Sequence, residues 1–195
     1  YNVVDSIFVS VYDPDAMEAV SIAYPMQMLI VAFAVGVGIG ANAQISRKLG
    51  EGDREGASKT AKNGLFLSLI CTVLFIVMGL TLSKWFISLF TSNDKILGYG
   101  TQYLSIVMVF SVGCFVEICC SKTLQATSNM KIPMISQLIG AITNIVLDPV
   151  FIFGLAFIPS MGVSGAAIAT VIGQIFAMIF VLIVMYTKKH DVNMS

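Results

Sequence analysis

The chain has 195 residues, of which 57% are hydrophobic and only 11% charged, with a mean hydropathy of +0.89. So few charges exclude an ordinary water-soluble domain, and the composition reads as a polytopic membrane protein. Eleven basic and eleven acidic residues cancel, which leaves no basic surplus for nucleic acid, so charge matters here by position.

The first apolar segment, residues 1–12, is shorter than the roughly 20 residues that a bilayer requires. It has no initiator Met and lacks the basic start and long apolar centre of a signal peptide, so a piece of a longer protein is expected. Asp13, Asp15 and Glu18 form an acidic turn. A second apolar segment covers residues 20–45 and carries Gly36, Gly38 and Gly40. Gly36 and Gly40 predict a small-residue face that admits a neighbouring helix closely. A dinucleotide loop is excluded at this Gly-rich stretch, since no strand, turn and helix of a soluble domain surround it.

The most charged stretch, residues 47–59, is expected to be a loop with a short surface helix. Segment three, residues 61–90, ends near Trp85, whose indole suits a membrane interface. Segment four covers residues 97–127 and includes Glu117; segment five, residues 132–157, follows a short polar turn. Pro159 marks the next turn, segment six runs over 163–186, and residues 188–195 form a polar tail or inter-lobe linker. Residues 1–187 thus read as one all-α membrane bundle of six helices, the first truncated. Cys71, Cys114, Cys119 and Cys120 lie in apolar segments without metal-like spacing to the one histidine, His190, and read as small core residues.

Basic residues fix the expected orientation. Arg47, Lys48, Arg54, Lys59 and Lys62 follow segment two, Lys122 and Lys131 follow segment four, and Lys188 and Lys189 lie in the tail, against only Lys84 and Lys95 on the other side. The loops after segments two and four and the tail are therefore expected in the cytoplasm, and the protein in the cell membrane.

Segment five carries the densest functional signal. Gln137, Gly140, Ala141, Asn144 and Asp148 recur at helical spacing and make one side of the helix small and polar. A carboxylate there is costly in lipid and belongs in a bundle interior, as an ion, proton or substrate site. Pro149 removes the N–H that the carbonyl of Ile145 would accept and is expected to loosen the helix beside the acid. The plainer alternative is an interfacial acid at the helix end, and Asp5 has the same alternative near the chain start; Asn144, one turn from Asp148, favours the site. Glu117 leaves two readings open, an ion pair with Lys122 or a role in transport. Thr170 either supplies an oxygen or bonds its own backbone, and Gln27, Gln125 and Gln174 read as inter-helix hydrogen-bonding residues.

Several of these stretches resemble the multidrug and toxic compound extrusion (MATE) family of cation-coupled exporters. They are Tyr1 with Asp5 on the first helix, residues 40–53, residues 124–134, Asn144-Ile-Val-Leu-Asp148-Pro149 and Gly162-Val-Ser-Gly165-Ala-Ala. The resemblance implies two six-helix lobes, of which this chain is most of the first. It implies a cation or proton site at Asp5, Asn144, Asp148 and Thr170, with the carbonyl of Ala166 as a further ligand and Tyr1 lining the cavity. The chain departs from the pattern at Ser128, where many relatives have glycine.

The resulting expectation is an antiporter, not an enzyme, that needs no cofactor and is driven by Na+ or H+. It would export small amphipathic organic cations, with lipids and a C-terminal lobe as its other partners. Two close carboxylates in a low-dielectric pocket cannot both stay bare, so they hold a proton or share a bound sodium. A lipid-linked precursor flippase is the nearest rival, but no arginine lies in an apolar segment to meet a pyrophosphate. An intramembrane enzyme would need a nucleophile or metal motif that is absent, and a non-transporting scaffold leaves the buried acids unexplained.

Overall fold

The computed structural model describes residues 2–154 and 159–187. The expectations for Tyr1 and for the tail at 188–195 lie outside the described residues. Eight helices are formed among those described: α1 (Asn2–Tyr12), α2 (Pro14–Gly50), α3 (Arg54–Thr81), α4 (Ser83–Ser88), α5 (Asp94–Val109), α6 (Val112–Ala126), α7 (Lys131–Phe153) and α8 (Gly162–Thr187). Four of these, α2, α3, α7 and α8, are each long and apolar enough to cross a membrane. The predicted fourth span is instead a bent pair, α5 and α6, meeting at 45°.

Three boundaries follow directly from capping chemistry. Asp13 accepts a hydrogen bond from the Asp15 N–H at 3.0 Å with Pro14 at the first helical position, so the expected acidic turn shrinks to one residue and α2 starts at once. Asp53 accepts from the Gly56 N–H at 2.8 Å and starts α3, and Asn93 accepts from the Lys95 N–H at 3.0 Å and starts α5. The expected loop at 47–59 is likewise corrected to residues 51–53. Helix continues through its charged flanks, where Arg47 pairs with Glu51 and Lys59 with Glu55 one turn away.

The bundle is apolar on its outside. Helix α3 exposes Phe66, Ile70, Val73, Val77 and Leu80, while it buries Ala57, Ala61, Gly64, Ser68 and Thr72. Large residues thus face the lipid and small ones face neighbouring helices, the arrangement that close packing favours where lipid is already as apolar as leucine. Helix α2 runs through the middle, with Val20, Ala23, Ile30 and Ala34 buried in the core together with Phe75, Leu104 and Phe115.

Close helix contacts are made by other glycines than the sequence suggested. Gly36 and Gly40 face open space, whereas a Cβ at Gly38 would lie 2.8 Å from the Lys122 side chain on α6. Among these glycines the closest approach to a neighbouring backbone joins α7 and α8. A Cβ at Gly165 would come within 2.6 Å of the Phe151 backbone, and one at Gly173 within 2.8 Å of the Gly140 carbonyl oxygen. These contacts set the distance between the two helices that carry Asn144, Asp148 and Thr170.

Candidate functional site

The buried stripe of α7 is Ser136, Gly140, Asn144 and Asp148, four residues at intervals of one turn. Gln137, placed on that face by the periodicity, is exposed, and Ser136 takes its place in the interior. Pro149 does not interrupt the helix, which continues to Phe153. Asp5, Asn144 and Asp148 are fully buried, and Thr170 is 2% exposed.

These four side chains, drawn from α1, α7 and α8, form one connected cluster. Thr170 Oγ1 donates to Asp5 Oδ2 at 2.9 Å. Asn144 Nδ2 donates to Asp148 Oδ1 at 3.1 Å and to Thr170 Oγ1 at 3.3 Å. Asp5 and Asp148 are thus joined through Thr170 and Asn144. Three buried oxygens of the cluster, Asp5 Oδ1, Asn144 Oδ1 and Asp148 Oδ2, have no hydrogen-bond donor among the described residues. A buried acceptor without a donor costs on the order of 1–3 kcal/mol. Such a set is satisfied by a proton or by a hard cation that prefers oxygen ligands. Ala166 is buried one turn ahead of Thr170 within α8.

One member was not singled out from the sequence. Tyr103 on α5 is fully buried, and its hydroxyl stands 3.5 Å from Asp5 Oδ2 while accepting from Gln27 Nε2 at 2.9 Å. Gln27 therefore does link helices, α2 to α5. An isolated tyrosine in an apolar segment carries no periodic signal; only its need for a hydrogen-bond partner when buried could have marked it.

Glu117 forms a second polar centre on α6. It is 4% exposed, and its carboxyl accepts from Ser121 Oγ at 2.7 Å, Ser136 Oγ at 3.0 Å and Gln137 Nε2 at 3.1 Å. The ion-pair reading fails for Glu117, because Lys122 Nζ turns instead to Gln125 Oε1 at 3.1 Å. Helical geometry explains this, since positions five apart point to different sides of the axis.

A bundle that is apolar toward lipid and keeps its buried polar groups inside defines a multi-pass membrane protein. The chain belongs to the MatE family, whose model matches residues 1–150. It is similar to the FAD transporter of Shewanella oneidensis, with 26% identity over 178 residues, covering 91% of this chain and 39% of that protein. It is also similar to the multidrug export protein MepA of Staphylococcus haemolyticus, with 27% identity over 192 residues, covering 98% of this chain and 41% of that one. Among solved structures, the inward-facing conformation of a multidrug resistance MATE family transporter of the MOP superfamily matches with a TM-score of 0.92 and 29% identity. That match covers 100% of this chain and 44% of the other. The chain thus spans about two fifths of the length of these relatives, and its fold is that of one lobe of such a transporter.

Proposed function

We propose that this chain is the ion-exchanging lobe of an exporter that couples inward movement of Na+ or H+ to outward movement of small amphipathic organic cations. The single observation that supports this most is the set of three donor-less oxygens on Asp5, Asn144 and Asp148, held in a cluster with Thr170. In this reading Asp5 and Asp148 carry the negative charge, Asn144 and Thr170 complete an oxygen-rich pocket, and the Ala166 carbonyl adds a ligand. Cation entry would draw α1 toward α7 and α8 and shrink the space available to an organic cation; rocking against a second lobe would then alternate access. The loops at 51–53 and 127–130 face the cytoplasm, an orientation supported by the basic residues that flank them.

The test uses the intact transporter in proteoliposomes, with sodium and proton gradients imposed separately and a cationic dye as cargo. Gradient-driven transport is expected in the wild type and is expected to vanish in Asp148→Asn. Retention of driven transport by Asp148→Asn would refute the assignment. A flavin dinucleotide run beside the dye checks the substrate class, because the Shewanella relative is named for FAD.

A further inference from the structure

A cavity of about 150 Å3 lies between the Asp5 cluster and Glu117, with Thr170 in one wall and Glu117 in the other. Gln27 Oε1, Ser111 Oγ and Gln174 Oε1 also belong to its lining, and all three are buried without a hydrogen-bond partner among the described residues. A cavity lined by such groups is polar and roomy enough for several waters. A second cavity, of about 450 Å3, shares Glu117, Ile118 and Gln137 with the first and extends past Ser121 and Gln125 to Met130, at the turn that joins α6 and α7. Glu117 is the one carboxyl that lines both.

Its surroundings suit a group that gains and loses a proton. The Ser136 hydroxyl has one hydrogen and two acceptors, Glu117 Oε1 at 3.0 Å and the Ala177 carbonyl at 3.1 Å. With Glu117 ionised, Ser136 donates to it. With Glu117 protonated on Oε1, the acid donates to Ser136, which turns its hydrogen to Ala177. Both states are fully bonded without moving a helix. A metal cation is not favoured here, because Ser121, Ser136 and Gln137 present hydrogens to the carboxyl and not lone pairs. Around Glu117 on α6 stand the buried thiols of Cys114 and Cys120 and the Lys122 amine bonded to Gln125. Helices α2, α7 and α8 bring glutamine, threonine and apolar side chains to the two cavities.

We infer that Glu117 is a proton relay between the Asp5–Asp148 pocket and the membrane face that carries the 127–130 turn. This rests on the ion-exchange reading above and commits it to protons. The O–H bond of a protonated carboxyl in the Asp5–Asp148 pair breaks, and its proton passes through cavity water to form an O–H bond on Glu117. That bond then breaks in turn, the proton leaves to water in the second cavity, and Glu117 returns to the carboxylate.

The test measures dye exchange by the intact transporter in proteoliposomes while the pH is varied on the side of the 127–130 turn. In Glu117→Gln, turnover is expected to fall roughly tenfold with KM within about twofold of the wild type, and its dependence on that pH to disappear. Glu117→Asp is expected to restore the pH dependence. A wild-type rate and pH profile in Glu117→Gln would overturn the relay. If Glu117→Gln does not yield a monodisperse, dye-binding protein, Ser136→Ala is read instead: a flattened pH profile supports the relay and an unchanged one overturns it. Transport driven by sodium and indifferent to the proton gradient overturns the relay alone. A wild type indifferent to both gradients overturns the ion-exchange reading itself.

Discussion

The Thr170 hydroxyl donates to Asp5 Oδ2 at 2.9 Å and so joins α8 to α1 across 165 positions of the sequence. The same oxygen accepts from Asn144, so one hydroxyl links all three helices of the pocket. Loss of a hydrogen bond to a charged group costs on the order of 1.5–3 kcal/mol. Thr170→Ala is therefore expected to weaken the apparent affinity for the driving cation by about tenfold or more, while Thr170→Ser, which keeps the hydroxyl, stays near the wild type. The half-saturating cation concentration in proteoliposomes measures both.

Gly173 and Gly36 are both helical glycines and should respond oppositely to alanine. At Gly173 the added methyl meets the Gly140 carbonyl oxygen at 2.8 Å and can be housed only if α7 and α8 separate. Overpacking of this kind costs about 1–3 kcal/mol, so Gly173→Ala should lower the thermal midpoint in detergent by several degrees. At Gly36 and Gly40 the methyl meets open space, and Ala is the better helix former by roughly 0.5–1 kcal/mol. Gly36→Ala and Gly40→Ala should leave the midpoint unchanged or raise it.

Ser128 is the non-glycine residue with positive φ among the described residues, at +61°. It stands just beyond the C-terminus of α6, where Asn129 N–H donates back to the Leu124 carbonyl at 3.1 Å. The left-handed conformation there costs a side-chain-bearing residue about 1–2 kcal/mol, so the position favours glycine. Ser128→Gly is expected to stabilise the fold by up to about 1 kcal/mol, read from thermal or chemical unfolding in detergent, with transport unchanged.

Asp13, in the connection between α1 and α2, has a carboxyl held below its ordinary range, first by the hydrogen bond from Lys95 and then by the Asp15 N–H. Its pKa is depressed in the folded state, so its contribution to stability is present above the ordinary carboxylate value and is lost as pH falls through the lower folded value. The thermal midpoint of the wild type should therefore fall more steeply on acidification below about pH 4 than that of Asp13→Asn. Equal acid slopes for the two proteins would show that the Lys95 contact contributes nothing in solution.

Much of the fold was legible from hydropathy. Segments five and six appear as helices close to their expected limits, segment two as a longer helix over 14–50, and segment three, expected over 61–90, as α3 followed by the short α4; a bilayer leaves a long apolar run few options besides a helix with its backbone bonds satisfied internally. The corrected places are those where a local signal competes with that rule. Asp13 with Pro14 is a helix start that the acidic composition of the turn concealed. The bend at Phe110 and Ser111 has no proline to announce it; it lies just ahead of Gly113, where a Cβ would come within 3.1 Å of the backbone of α8 at Gln174.

The site was partly legible too. Asn144 and Asp148 carry a signal because polar residues at helical spacing are rare in an apolar run. Gly36 and Gly40 carry the same kind of pattern and yet make no close contact, since the rotation of a helix is set by what it packs against.

By itself, the sequence determined that this is a bundle of apolar helices with acids on its first and fifth segments, since burial cost alone forbids those acids from facing lipid. Only the tertiary structure decided which groups meet them: Thr170 through the close approach of α8 at Gly165 and Gly173, Tyr103 through α5, and Ser136 between Glu117 and Ala177. The physical reason is that periodicity reports which face of a helix is buried, whereas the partner on that face depends on helix rotation and separation, which are settled by contacts between residues far apart in the chain.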